Sequence, residues 1–498
     1  MGEQGDSVVS FMSSGIGGLD EIMCGGFVRD RLYLIEGEPG SGKTTLALQF
    51  LLEGVQQGEP VLYITLSESK KEIEEVAASH GWTMDGINVH EVLPPESILK
   101  PEEQYTIFHQ SDVETAATTQ DILTVIDTVR PTRVVLDSLS ELQLLASSML
   151  VYRRQILALR QYFARRSCTT LLLNDRTDDG GDLHTRSIAH GVIRLDRIAT
   201  DYGGFRRRAE VIKYRGIAFR EGTHDYRIRH GGLVVYPRLI AAESREQSGR
   251  ALLGSGLPEL DLLLGGGIEE GTSTLVAGPA GAGKSSLVSQ FALAAVQRQQ
   301  PAALFLFEES ISTFLHRADG LGFDFRTPLA AGLVKLVQVD PAQLTPGEFI
   351  HDICKLVADG TKVVVLDSLN GFLHAMPNEK QLSSHLHELL AYLAQRGVNT
   401  FLVAVQHGLL NDTGQVDFSA SYIADNVIML RYFEAQGEVR QALSVFKKRI
   451  GFHERTIRQM SITSSGIQVG PILRQFRGVL TGVPELVEPP GQERDAHG

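Results

Sequence analysis

"GEPGSGKTT" occupies residues 37 to 45, and "GPAGAGKSS" occupies residues 278 to 286, 241 positions further along the chain. Each has the form GxxxxGK[ST]. In that form the glycines let backbone amides turn inward around phosphate oxygens, the following helix directs its positive end at them, and the lysine reaches the terminal phosphates. One phosphate loop is thus read over Gly37, Glu38, Pro39, Gly40, Ser41, Gly42, Lys43, Thr44 and Thr45, and a second over Gly278, Pro279, Ala280, Gly281, Ala282, Gly283, Lys284, Ser285 and Ser286. Thr44 and Ser285 offer a hydroxyl to Mg2+, which prefers oxygen ligands and bridges two phosphates. Both loops are expected between a strand, Leu32 to Glu36 or Thr274 to Ala277, and a helix.

Two such devices in one chain point to duplication, and the surrounding sequence bears that out. "SGIGGLDEIMCGGF" (14–27) precedes the first loop and "SGLPELDLLLGGGI" (255–268) the second, with Gly15, Leu19, Asp20, Gly25 and Gly26 each reappearing 241 positions on. The offset holds into the next strand, where "VLYITLSES" (61–69) answers "ALFLFEES" (303–310) and Glu68 matches Glu309. It then becomes 230, so that Asp137 of "RVVLDSLS" matches Asp367 of "KVVVLDSLN". Near the end of each copy "VIKYRG" (211–216) echoes "VFKKRI" (445–450). The expected domains are 1–236 and 251–484, joined by a polar linker at 237–250 and followed by a tail at 485–498. A chain of 498 residues is indeed too long for one ordinary core.

Within each copy the apolar runs are short, β-branched and separated by helical segments. Strands buried on both faces read as continuous apolar runs, so the pattern predicts an α/β fold: two tandem P-loop NTPase domains, each a mainly parallel sheet flanked by helices. Asp137 and Asp367 each end such a run, at the carboxyl edge of the sheet beside the phosphate loop. There a carboxylate holds a metal-bound water, the Walker B role.

Bulk properties narrow the partners. Hydrophobic content of 43% and charged content of 21% fit a soluble globular protein, and a formal net charge of -13 disfavours whole-surface attraction to nucleic acid or anionic lipid. Cys24, Cys168 and Cys354 lie far apart with no CxxC spacing, which fits a reducing compartment and is read as three buried thiols. No basic leader and no uninterrupted apolar run of membrane-spanning length is found, so a cytoplasmic, membrane-free protein is expected. The histidines show no metal-ligand spacing.

The paired loops, the "SGIGGLDEIMCGG" lead-in, the "FEES" turn, "VVLDSL" and a late K-x-R element together resemble the KaiC family of double RecA-like ATPases, over residues 13 to about 480. The resemblance implies ATP and Mg2+ as ligands, ATP-promoted homohexamers of two stacked rings, and nucleotide at subunit interfaces. In clock members of the family it also implies autokinase and autophosphatase activity in the second ring. Family members carry two adjacent glutamates after the second strand, one of which polarises the attacking group. Glu308 and Glu309 keep both, whereas the first copy has Ser67 and then Glu68. A serine lacks the charge and basicity to orient and deprotonate water, so first-domain hydrolysis is the less secure. Lys213 with Arg215, and Lys447 with Arg449, are expected to reach a neighbouring subunit's γ-phosphate, arginine stabilising the charge that spreads in transfer. Ile450 replaces the glycine of the first K-x-R-G.

Clock members also carry a serine and a threonine acceptor before the final strands. That segment aligned with "DFSASYIADNVIML" (417–430) puts Ser421 on the serine and Tyr422 on the threonine, leaving Ser421 as the candidate phosphoacceptor. Tyrosine places its hydroxyl a ring's width too far out, and in-line transfer tolerates only about 1 Å of misplacement. Two other functions fit parts of the sequence. "FRRRAEVIKYRGIAFR" (205–220) carries six basic residues against one acidic, a stripe suited to a DNA-dependent ATPase. Ser67 suits a nucleotide-gated scaffold with little turnover. The acidic segment 93–114 reads as a surface excursion that docks a regulatory protein partner.

Overall fold

A computed structural model of the chain describes residues 9–92, 110–176, 183–200, 203–241, 251–340, 344–374, 382–405, 422–479 and 485–486. The chain divides into two compact units, Met1–Arg238 and Leu239–Gly498.

The first unit is built on a nine-stranded sheet whose order is Gly232–Tyr236, Thr223–Arg229, Arg206–Tyr214, Gly191–Ile198, Leu32–Gly37, Thr169–Asp175, Arg133–Asp137, Val61–Thr65, Ile87–Glu91. From Gly191–Ile198 to Ile87–Glu91 the strands run parallel, and the remaining three pair antiparallel. Side chains alternate across the sheet, as a period of two requires. Ile35, Tyr63, Val135 and Leu171 face the helix Lys43–Gln56 through Leu46, Phe50 and Leu51. Leu34, Leu62, Val134 and Leu172 face the opposite side, against Ile122 and Ile126 of the helix Gln110–Val129 and Ile156 and Leu159 of Met149–Arg165. That sandwiching is why the central strands read as unbroken apolar runs. The expected α/β architecture is therefore the observed one. The segment read as an acidic excursion is only partly described: it enters the helix Gln110–Val129, and residues 93–109 lie outside the described part.

The second unit repeats the plan. Its nine strands run Val334–Gln338, Ala302–Leu306, Val363–Asp367, Asn399–Val405, Ser273–Gly278, Asn426–Ala435, Glu438–Lys448, Arg458–Thr463, Gly466–Ile472. The last three join antiparallel, at the edge corresponding to that of the first unit.

One core position sets the copies apart. Arg133 opens its strand with a fully buried side chain. Its guanidinium donates to Glu59 Oε2 at 2.5 Å, to the carbonyls of Ser13 and Phe50 at 2.7 and 2.8 Å, and to Gln57 Oε1 at 3.2 Å. The lead-in segment, the loop helix and the sheet are thereby tied at one point. Val363 stands at the same register in the second sheet, opposite Ala302 as Arg133 is opposite Val61.

The cysteine expectation fails in part. Cys168 is buried and donates to the Pro131 carbonyl, but Cys24 is exposed in a turn with φ 55, and Cys354 is half-buried. Among the described residues no helix is long and apolar enough to cross a membrane.

Candidate nucleotide site

Each phosphate loop follows the central strand of its sheet and opens a helix, Lys43–Gln56 or Lys284–Gln297. The residue before each lysine, Gly42 or Gly283, has φ 95. A Cβ there would also meet Ile228 Cδ1 at 2.7 Å or Ile462 Cδ1 at 2.4 Å, so glycine is required on two counts. The lysines are turned into the loop and almost buried. Lys43 Nζ donates to the carbonyls of Gly37 and Glu38 at 2.9 and 3.1 Å, and Lys284 Nζ to that of Pro279 at 2.7 Å. Burial pulls Lys284 below the usual lysine range, with Asp367 and Glu308 acting the other way. Thr45 and Ser286 are buried beneath the loops.

Sheet register brings the carboxylates to the same edge. Gly37 is level with Asp175, Asp137 with Leu173, and Thr65 with Asp137. Thr44 Oγ1 donates to Asp137 Oδ2 at 3.5 Å, and Tyr63 Oη donates to the same oxygen at 2.5 Å. Burial raises Asp137 above the ordinary carboxylate range, as it does Asp367, which is pushed up to about 6 despite a hydrogen bond from Ser285. The peptide bonds Asp137–Ser138 and Asp367–Ser368 are both cis. A half-buried hydroxyl, Thr44 or Ser285, beside a carboxylate in electrostatic reach of the loop lysine forms an oxygen donor set that fits Mg2+ with a nucleotide. Further polar capacity stands ready beside it, since Ser41 Oγ and Glu68 Oε2 are buried with no hydrogen-bond partner.

The glutamates after the second strand differ between the units. Glu308 accepts from Ser368 Oγ. Glu309 is held by Arg317 of the next helix at 2.6 Å. Val76 takes that helix position in the first unit. Glu68 keeps its place through a backbone turn, its amide donating to Thr65 Oγ1 at 3.0 Å, and among the described residues it has no arginine partner. Burial, then Asp137, Glu72 and Asp175, raise its proton affinity.

The K-x-R elements lie elsewhere. Lys213 is paired with Val192, which is level with Leu34, three residues short of Gly37. Its Nζ donates to the carbonyls of Arg186, Ser187 and Ala189 at 2.6, 3.2 and 2.7 Å, closing the end of the helix Leu183–Ile188, and Arg215 joins it on Ser187 at 2.6 Å. Lys447 donates to the Ala424 carbonyl at 2.7 Å, and Arg449 pairs with Asp425 at 2.8 Å. Both pairs sit toward the amino end of their loop strand, away from their own phosphate loop. Burial lowers both lysines, with the neighbouring arginine assisting. The basic stripe is likewise absorbed into the sheet. Arg206, Arg207 and Arg208 are half-buried, Arg208 lies 3.8 Å from Asp225, and Lys213 and Arg215 are spent on carbonyls. Ser421 falls outside the described residues, while the neighbouring Tyr422 is exposed.

A family model described as the KaiC ATPase matches residues 12–240 and 253–474. The chain belongs to the KaiC ATPase family. It is similar to the "Circadian clock oscillator protein KaiC" of Thermostichus vulcanus, 27% identical over 97% of this chain and 94% of that protein. It is also similar to the protein of the same name from Prochlorococcus marinus strain MIT 9313, 28% identical over 96% of each chain. The "Circadian clock protein KaiC3" of Synechocystis is 27% identical over 95% of this chain and 94% of that protein.

Sequence reasoning about this KaiC-family chain passed over three site residues. Asp175 pairs with Lys43 at 2.8 Å, Tyr63 holds Asp137, and Arg317 holds Glu309. Asp175 ends a strand as Asp137 does, and that shared position was the available signal. Nothing at the level of motif spacing marked Tyr63 or Arg317.

Proposed function

We propose that the chain acts as an ATP-promoted homohexamer in which each P-loop binds ATP with Mg2+ and hydrolyses it at a subunit interface, the cycle serving as a signalling or timing switch in the cytoplasm. Mg2+, when bound, neutralises the β- and γ-phosphate charge and fixes their geometry. Lys43 and Lys284 bind the terminal phosphates. Thr44 and Ser285, with Asp137 and Asp367 through water, would hold the ion. Glu68 and Glu308 accept the proton of the attacking water.

One observation carries the intersubunit part: in both units the K-x-R pair is set back from its own loop strand's phosphate end. With about 3.3 Å of rise per strand residue, Lys213 starts roughly 10 Å short of Gly37, and its ammonium points to the helix end instead. A second cationic group for the γ-phosphate is then best supplied by another copy of the chain, which ties turnover to assembly. Light scattering and native mass measurement, with and without ATP·Mg, test this: hexamers carrying two nucleotides per chain are expected. A monomer with one nucleotide per chain under saturating ATP refutes it.

The family resemblance extends the proposal to self-phosphorylation on Ser421 by the second domain. Phosphopeptide mapping after incubation with ATP·Mg is expected to find label on Ser421 that disappears with Lys284→Ala. No phosphate on 417–424 after long incubation would leave a tandem ATPase alone.

A further inference from the structure

We propose that Asp175 is a further catalytic carboxylate of the first site, standing in for the glutamate that Ser67 replaces; this rests on the reading of that site as an ATPase. Asp175 ends the strand beside the loop strand and is level with Gly37. Its amide donates to Ser140 Oγ at 3.1 Å, which fixes the turn, and its carboxylate lies 2.8 Å from Lys43 Nζ. An ammonium has three donors, and those of Lys43 are directed at Gly37, Glu38 and Asp175. A phosphate that takes over the two carbonyl-directed donors therefore arrives with Asp175 on the third. That places an acceptor at the terminal phosphate, within electrostatic reach of Asp137 and Glu68.

The comparison between copies makes the substitution specific. Val405 occupies the same register in the second sheet, level with Gly278, and among the described residues no carboxylate is ion-paired to Lys284, Asp367 and Glu308 acting on it from further off. The second site draws two carboxylates from one turn, Glu308 and Glu309. The first draws Glu68 from that turn and Asp175 from the adjacent strand. Each site thus has two acids besides its Walker B aspartate, reached by different routes.

In the step itself the water oxygen bonds to the γ-phosphorus while the bond from phosphorus to the β–γ bridging oxygen breaks, and ADP leaves with that electron pair. Glu68 takes one water proton and returns it to the released phosphate. Asp175 accepts a hydrogen bond from the other hydrogen, which turns the oxygen lone pair toward phosphorus. Products are ADP and inorganic phosphate.

The full-length chain with Lys284→Ala, which silences the second site, isolates the effect. Asp175→Asn is expected to lower kcat for ATP about tenfold to a hundredfold, the range for losing one orienting hydrogen bond to a charged group, while KM stays level or falls. An unchanged kcat with a lower KM would overturn the proposal, leaving Asp175 as a mere competitor of phosphate for Lys43. Asp175→Val with Ser67→Glu rebuilds the arrangement of the second site and is expected to recover the kcat that Asp175→Val alone loses. No recovery counts against the substitution of one acid for the other. Lys43→Ala in the same background separates the two ideas. If no turnover depends on Lys43, the reading of the first site fails and takes the proposal with it. Lys43-dependent turnover indifferent to Asp175→Asn defeats the proposal alone.

Discussion

Changing Glu308 and Glu309 to glutamine one at a time should split two residues that sequence alone treats as a pair. Both oxygens of Glu309 are engaged by Arg317, at 2.6 and 3.4 Å, and the pair is only 21% and 28% exposed. A carboxylate so paired is a poor proton acceptor, because protonating it discards the charge interaction. Glu308 has a neutral hydroxyl partner, Ser368, and faces the Lys284 ammonium. Loss of a positioned base lowers rate by about a hundredfold to ten-thousandfold, or about 3 to 5 kcal/mol of transition-state stabilisation. Loss of one partly solvated ion pair costs about 1 kcal/mol or less, under about tenfold. Phosphate release by the full-length chain carrying Lys43→Ala should therefore fall at least about tenfold further with Glu308→Gln than with Glu309→Gln. Adding Arg317→Met to Glu308→Gln should restore part of the rate by freeing Glu309. Equal losses in the two single variants, or a larger loss from Glu309→Gln, would refute the reasoning.

Asp367, pushed up to about 6 by burial, is protonated below that pH and then cannot hold metal-bound water, so kcat/KM of the second site should drop as pH falls through about 6. The same raised value stabilises the ligand-free fold at acid pH, fully below the ordinary aspartate value of 3.8 and no longer above about 6; pH titration of rate and of melting checks both. Arg186 holds the buried Glu36 through both oxygens, at 2.8 and 2.6 Å, so Arg186→Met should cost about 3 to 5 kcal/mol and lower Tm by roughly 6 to 20 °C. Calorimetry showing less than about 2 °C would contradict the burial argument. Gly283→Ala forces a side chain into a left-handed turn against Ile462, and should weaken ATP binding at the second site about tenfold, read by nucleotide titration.

What the sequence disclosed was whatever repeats at a fixed offset. The glycine-rich loops and the strand-ending aspartates Asp137 and Asp367 recur with their strand–loop–helix setting in each copy. The parallel strands were legible because burial on two faces leaves an unbroken apolar run. The three antiparallel edge strands were not, since "RRRAEVIKY" and "EVRQALSVFKK" alternate polar with apolar residues and read as basic stripes rather than as sheet. The side-chain partners of the site were hidden for a different reason. Asp175, Tyr63 and Arg317 act across strands or along a helix, and each is present in one copy only, so the repeat that exposed the rest averaged them away.

Arg133 shows how far that divergence has gone. A residue transplanted between equivalent positions would fail in both directions. Valine at 133 would leave Glu59 with Arg29 alone and take the guanidinium donors from the carbonyls of Ser13 and Phe50, while arginine at 363 would enter a strand start whose neighbours are Ala302 and Asn399. The halves repeat one plan, yet the side chains at this position are no longer interchangeable. Each sheet has become private property of its own half, and the pair is preserved by incompatibility as much as by likeness.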